Sequence, residues 1–223
     1  MNKPPENRID VKFANEIISA LRYIEKDLLG PNTSGAVILT SSSQKFWCTG
    51  VDLEEAAKDP NSSAEGFFPL LATILDYTFP VIALITGHTF GGACPISLAC
   101  DYRIMNRDRG FYCMPPVDLG LHFDGMGSLP RLKLQPRIAR KMLLQAHRWT
   151  ADEAVADGVI DEAVEPSQML ARAIQVAKDH APRAKAGVYG LLRNELFGEA
   201  TRQIQLLAHR HHRPSSLPPR AKI

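Results

Sequence analysis

No charge of one sign dominates this sequence. Its 26 lysines and arginines face 24 aspartates and glutamates, a formal net charge of +2. That balance offers no broad basic surface for a phosphate backbone, so no nucleic-acid partner is expected. The apolar run from Val81 to Ile85 is far too short to span a bilayer, so no membrane partner is expected either. Met1 is followed by the polar Asn2-Lys3-Pro4-Pro5, which is no secretory leader. Cysteine is scarce. The four residues Cys48, Cys94, Cys100 and Cys113 form no C-x-x-C pair, and three sit in apolar stretches. They read as reduced thiols of an intracellular compartment, not a disulfide frame or a zinc site. His209, His211 and His212 lack a cysteine or carboxylate to complete a ligand set, so no metal is expected. Walker loop, G-x-S-x-G elbow, H-E-x-x-H pair and internal repeat are all missing.

What is present suits a globular chain. The hydrophobic fraction is 45% over 223 residues, enough to bury a core without disulfides. Apolar residues recur at helical spacing through Ala14, Ile17, Ile18, Leu21, Ile24 and Leu28, predicting a helix over 11–29 that ends at Gly30. Buried strands are predicted over 36–39, 81–85 and 102–105. Helices are predicted over 67–77 and 93–100. Beyond Gly120 the pattern is helical: 137–147, a short helix opened by a Thr150–Glu153 capping box and closed by Gly158, then 167–180 and 185–209. Strand and helix alternate first and helices follow, which implies an α/β core on a parallel sheet with a helical C-terminal part.

Two glycine-bearing segments carry the chemistry. One is Lys45-Phe46-Trp47-Cys48-Thr49-Gly50-Val51-Asp52-Leu53, after a predicted strand. The other is Ile85-Thr86-Gly87-His88-Thr89-Phe90-Gly91-Gly92-Ala93-Cys94, between a strand and a helix. With Ala99-Cys100-Asp101-Tyr102-Arg103 they resemble the crotonase family of enoyl-CoA hydratases and isomerases. Pro5-Glu6-Asn7-Arg8, residues 111–120, Pro130-Arg131-Leu132 and residues 151–164 resemble further family segments in the same order, so the resemblance covers roughly residues 5–180. Around Arg109-Gly110-Phe111-Tyr112 and Val117-Asp118-Leu119-Gly120 it is closest to peroxisomal Δ3,Δ2-enoyl-CoA isomerases.

The resemblance implies a spiral of ββα units and an acyl-CoA thioester as substrate, with no further cofactor. It implies that the backbone N–H groups of Val51 and Gly92 form an oxyanion hole for the thioester enolate. Two such donors at a developing oxyanion are worth about 3 kcal/mol each. Glycine at 91 and 92 permits close approach and positive φ, and Gly92 would open a helix, where the dipole favours an anion. Lys45 is implied on CoA phosphates, and Cys48, Gly50, Asp52, Leu53 and Gly91 along the substrate. The family's C-terminal helices imply a homotrimer or hexamer. The expected boundaries are a core over 1–148, a helical trimerisation part over 149–213 and a flexible tail over 214–223. Ala221-Lys222-Ile223 resembles the C-terminal tripeptide read by the peroxisomal import receptor, so the expected location is the peroxisome, otherwise the cytoplasm.

The sequence also departs from the family. The two glutamates that hydratases use fall here on Pro95 and Pro116, and the isomerases depend chiefly on the second. Proline cannot take or give a proton. The family's dienoyl-CoA isomerases use an acid further along, at the position of Asp124. His122 stands two residues earlier, and an extended loop would point both to one side. Two readings follow: an enzyme using Asp124, with His122 beside it, or a catalytically impaired acyl-CoA-binding or assembly subunit. The family's early strand pair is also missing before residue 5, which predicts an exposed sheet edge and lower stability.

Overall fold

A computed structural model of the protein describes residues 1–208. Among them, seven short strands run in chain order: β1 (Val37–Thr40), β2 (Phe46–Cys48), β3 (Val81–Ile85), β4 (His88–Phe90), β5 (Tyr102–Asn106), β6 (Tyr112–Cys113) and β7 (Glu162–Val164). Alternate strands enter alternate sheets. One sheet has the order β1-β3-β5-β7 and the other β2-β4-β6, and every pairing is parallel. Each turn of chain thus lays one strand in each sheet before a helix returns it, the expected ββα spiral. β3 is buried at all five positions, which is why it reads as an unbroken apolar run rather than an alternating one. β1 stands at the sheet edge.

The helices are α1 (Val11–Tyr23), α2 (Leu53–Lys58), α3 (Phe68–Leu75), α4 (Ala93–Ala99), α5 (Pro116–Leu119), α6 (Ser128–Lys133), α7 (Pro136–Gln145), α8 (Ala151–Ala156), α9 (Met169–His180) and α10 (Val188–Ala208). Asp10 caps α1 by accepting the Phe13 N–H at 2.7 Å, and the buried stripe is Phe13, Ala14, Ile17 and Leu21. A π-helical turn continues α1 over Ile24–Leu29 and ends at Gly30, φ +67°, the predicted stop. The predicted capping box is present at α8, where Thr150 and Glu153 satisfy each other's backbone donors, and Gly158 follows with φ +68°.

Two expectations needed correction. Helices alone do not follow Gly120, because Glu162–Val164 joins the first sheet beside β5. Three half-exposed residues carry no alternation for a sequence pattern to detect. No strand was expected within the glycine-bearing segments either. They contain β2 and β4, whose pairing with β6 makes a second sheet of two- and three-residue strands.

A buried ion pair fastens α10 to the core. The Arg193 guanidinium meets Asp101 at 2.7 Å and the Ala99 carbonyl at 2.7 Å, and it also donates to the carbonyls of Ile74, Leu75 and Tyr77. Asp101 in turn accepts the Val81 N–H at 2.7 Å, at the start of β3. No helix among the described residues is long and apolar enough to cross a membrane. Residues 209–223 lie outside the described residues. With them go the tail histidines, the tail expected over 214–223 and the tripeptide Ala221-Lys222-Ile223.

Candidate active site

The strands of the smaller sheet are parallel, so the loops leaving β2, β4 and β6 all emerge at its carboxyl edge. Those loops are Thr49-Gly50-Val51, Gly91-Gly92 and Met114-Pro115-Pro116. Ligands of parallel sheets bind at that edge. Here it opens into a cavity of about 490 Å³ lined by Val51, Leu53, Gly91, Gly92, Pro95, Pro116 and Asp124, with mostly apolar side chains between them. Residues far apart in the chain thus share one wall.

The first loop is held from behind. Ile9 forms a parallel bridge with Val51: its N–H donates to the Gly50 carbonyl at 2.8 Å, and its carbonyl accepts the Asp52 N–H at 2.9 Å. A parallel bridge uses the groups on either side of the bridged residue, so the N–H of Val51 itself faces away from Ile9. Asn7 pins the same segment through its side-chain amide, to Ser41 at 2.7 Å and the Trp47 carbonyl at 3.0 Å. Its φ of +52° suits asparagine better than most residues.

Gly50 lies against the second loop. A Cβ on it would sit 2.4 Å from the Gly92 nitrogen and 2.9 Å from the Phe90 carbonyl oxygen, and its φ is +86°. The Gly91 N–H donates to the Cys113 carbonyl at 3.0 Å, which turns the next residue toward the cavity. Among the described residues, neither the Val51 nor the Gly92 N–H has a hydrogen-bond acceptor. Two adjacent donors on an apolar wall are costly unless a ligand oxygen or water meets them. Gly50→Ala is therefore expected to push the loops apart and weaken acyl-CoA binding. Turnover should fall about 100-fold, the loss typical of one oxyanion donor. Calorimetry and a steady-state assay check this, with circular dichroism testing that the fold survives.

The other expected site residues divide. Pro95 lies in the first turn of α4, where its missing N–H has no helical partner, and Pro116 opens α5. Asp124 begins a tight turn whose Gly125 has φ +76° and packs against Leu207 of α10, and Ser128 donates to Gln203 at 2.8 Å. The expected pairing of residues 122 and 124 is not seen: Asp124 lines the cavity, while His122 is exposed and does not. Lys45 is exposed outside the lining, with its ammonium 5.1 Å from the Phe46 ring centroid. Asp52 lies outside the lining and caps α2 through the N–H groups of Glu54 and Glu55. Cys48 lies behind the wall as well. Its thiol is fully buried, donates to the Asn7 carbonyl at 3.1 Å and is pushed up to about 12 by desolvation.

Burial also raises the other thiols: Cys100 to about 12, Cys94 well above its ordinary value, and Cys113 upward. Only Cys113 of the four lines the cavity. At pH 8 a thiol of pKa 12 is about one part in 10⁴ thiolate, the reactive form. Iodoacetamide on the native protein is expected to label Cys113 before the other three, read by peptide mass spectrometry. Early labelling of Cys48 or Cys100 would contradict this burial.

Three further charged residues of the wall were not among the expected site residues. Glu6 and Arg8 line it and pair with each other at 2.8 Å, while Arg148 comes from the α7–α8 connection. Glu6 lay inside a segment already recognised, but only the fold turns it inward. No group of three or more potential metal ligands occurs among the described residues.

The family model for enoyl-CoA hydratase/isomerase matches residues 1–210. Enoyl-CoA delta isomerase 3 of Arabidopsis thaliana is 30% identical over 210 residues, covering 89% of this chain and 88% of that protein. The same plant's peroxisomal enoyl-CoA delta isomerase 1 is 30% identical over 201 residues, covering 87% of this chain and 82% of that protein. Among solved structures, the enoyl-CoA hydratase EchA3 of Mycobacterium ulcerans superposes with a TM-score of 0.83 at 20% identity, covering 93% of this chain and 90% of that one. The last comparison concerns the fold alone.

Proposed function

Because this chain belongs to the enoyl-CoA hydratase/isomerase family, we propose that its cavity binds an enoyl-CoA and moves the double bond through a thioester enolate. The observation that carries this reading is the pair of N–H groups, Val51 and Gly92, without acceptors among the described residues, on a cavity wall of mostly apolar side chains. A thioester oxygen placed between them accepts both hydrogen bonds. Asp124 takes a proton from the carbon next to the carbonyl. The electron pair left behind spreads onto the oxygen, where the two donors stabilise it without reorganising. The proton returns at the far end of the conjugated system, and the double bond has shifted. The chemistry needs no group beyond the thioester. Pantetheine would leave along the first loop past Leu53, with Lys45 near the rim.

A second reading keeps the binding and drops the proton transfer. Pro95 and Pro116 both line the cavity where the family's acids stand, and that observation favours a non-catalytic acyl-CoA-binding or assembly subunit. One set of measurements separates the two: calorimetry with a saturated acyl-CoA, and an absorbance assay with 3-enoyl and 2-enoyl thioesters. Turnover supports the enzyme. Binding without turnover supports the subunit, and the absence of both binding and turnover sinks both readings. This reading includes a homotrimer or hexamer, for which α10 presents Leu191, Leu192 and Leu196 to solvent. It also includes a peroxisomal setting, supported by relatives that carry that word in their names.

A further inference from the structure

The connection between α7 and α8 crosses the cavity wall on a short antiparallel bridge. Tyr112 and Trp149 exchange both backbone hydrogen bonds, at 2.9 and 3.0 Å. One step along that bridge sets Arg148 opposite Cys113. Side chains alternate along each strand. Tyr112 and Trp149 are fully buried on one face, while Cys113 and Arg148 turn to the other, and both line the cavity. The Cys113 thiol donates to the Ala146 carbonyl at 3.2 Å, which ties the connection down a second time. The Arg148 guanidinium bears on that same thiol.

The cavity's charges are unevenly matched. Arg8 is paired with Glu6 at 2.8 Å and has Glu54 at 3.8 Å. No carboxylate of the described residues lies within ion-pair distance of Arg148. Asp118 acts on the Cys113 thiol from α5 but is not part of the lining. A guanidinium fork beside apolar surface suits a carboxylate, which it can bind through two parallel hydrogen bonds. It stands beside Cys113, whose carbonyl holds the Gly91 N–H. It is therefore on the β6 side of the amide pair, in the lining that Pro116 and Leu119 of α5 share.

We propose that Arg148 is a specificity residue for an acyl chain bearing a carboxylate, so that the site takes mono-thioesters of short dicarboxylic acids. The proposal rests on the thioester reading above and concerns the acyl end of the same site. Guanidinium recognition could equally serve a phosphate of CoA, so the test separates the two anions.

The probes are glutaryl-CoA and pentanoyl-CoA, equal in length and differing in the terminal carboxylate, together with the glutaryl and pentanoyl thioesters of pantetheine, which carry no phosphate. Calorimetry reads the affinity ratio of the carboxylated to the plain member of each pair. In Arg148→Gln that ratio is expected to fall about tenfold, equivalent to about 1.4 kcal/mol, for the CoA and the pantetheine pairs alike. In Arg148→Lys it should recover in part. A ratio indifferent to residue 148 overturns the proposal while the thioester site stands. A fall confined to the CoA pair also overturns it and assigns Arg148 to a phosphate. Failure of the wild type to bind any of the four probes removes the thioester site itself.

Discussion

Asp124→Asn is expected to lower the rate of double-bond shift by about 10²–10⁴, the usual contribution of a positioned base. Asparagine keeps the size of the side chain and suits the same turn, whose Gly125 supplies the positive φ. It cannot accept the substrate's proton. The affinity for a saturated acyl-CoA should change far less than kcat, because the thioester oxygen is held by Val51 and Gly92. A loss shared equally between kcat and binding would point to damage in the turn, which is braced by Leu207 and Gln203 of α10. Unchanged turnover would falsify the role of Asp124 and leave Glu6 as the other carboxylate of the cavity wall.

The second large effect is on stability. Arg193 is 4% exposed and satisfies five acceptors, one of them the buried Asp101. Arg193→Met removes the cation and leaves the Asp101 carboxylate buried without its counter-charge. Breaking such a pair from one side costs about 3–5 kcal/mol. In a domain of this size that corresponds to a fall in Tm of roughly 6–20 °C. Arg107→Met is the control. It loses ion pairs to Asp152 and Glu165 that are open to water, and its Tm should barely move. Calorimetric melting of both variants checks the contrast. Equal melting of Arg193→Met and wild type would show that α10 is held by its apolar contacts alone. Because Leu207 and Ile204 of α10 reach the Asp124 turn and the cavity wall, the Arg193 variant should also lose substrate affinity before it unfolds.

Much of this protein was legible in order along the chain. The apolar run of β3, the stripe of α1, the capping box of α8 and the glycine stops are local signals, and each lies where the periodicity or turn chemistry placed it. The glycine-bearing segments were also legible as a pair, because close backbone approach restricts what their residues can be. Gly50 is the clearest case, with no room for a Cβ beside Gly92. Proline at 95 and 116, where the resemblance implies glutamates, could be read from the sequence as positions with no ionisable group.

Whatever depended on facing was decided by tertiary structure. The strands of the second sheet are two or three residues long, below the length at which alternation can be seen. Their parallel pairing is what gathers three loops at one edge. Asp124 lines the cavity at the start of a turn while His122 is exposed outside it, a difference the two-residue spacing concealed. Cys48 stands inside a substrate-like motif, yet its thiol lies behind the wall. Arg148 carries no local mark and Glu6 lies in a recognised segment that does not show its facing; a bridge to Tyr112 and the anchoring of Asn7 place them on the cavity wall. The sequence determined the longer elements and the chemistry available to the backbone. Which side chains share the cavity was decided by long-range pairing, because a residue's face depends on partners far away in the chain.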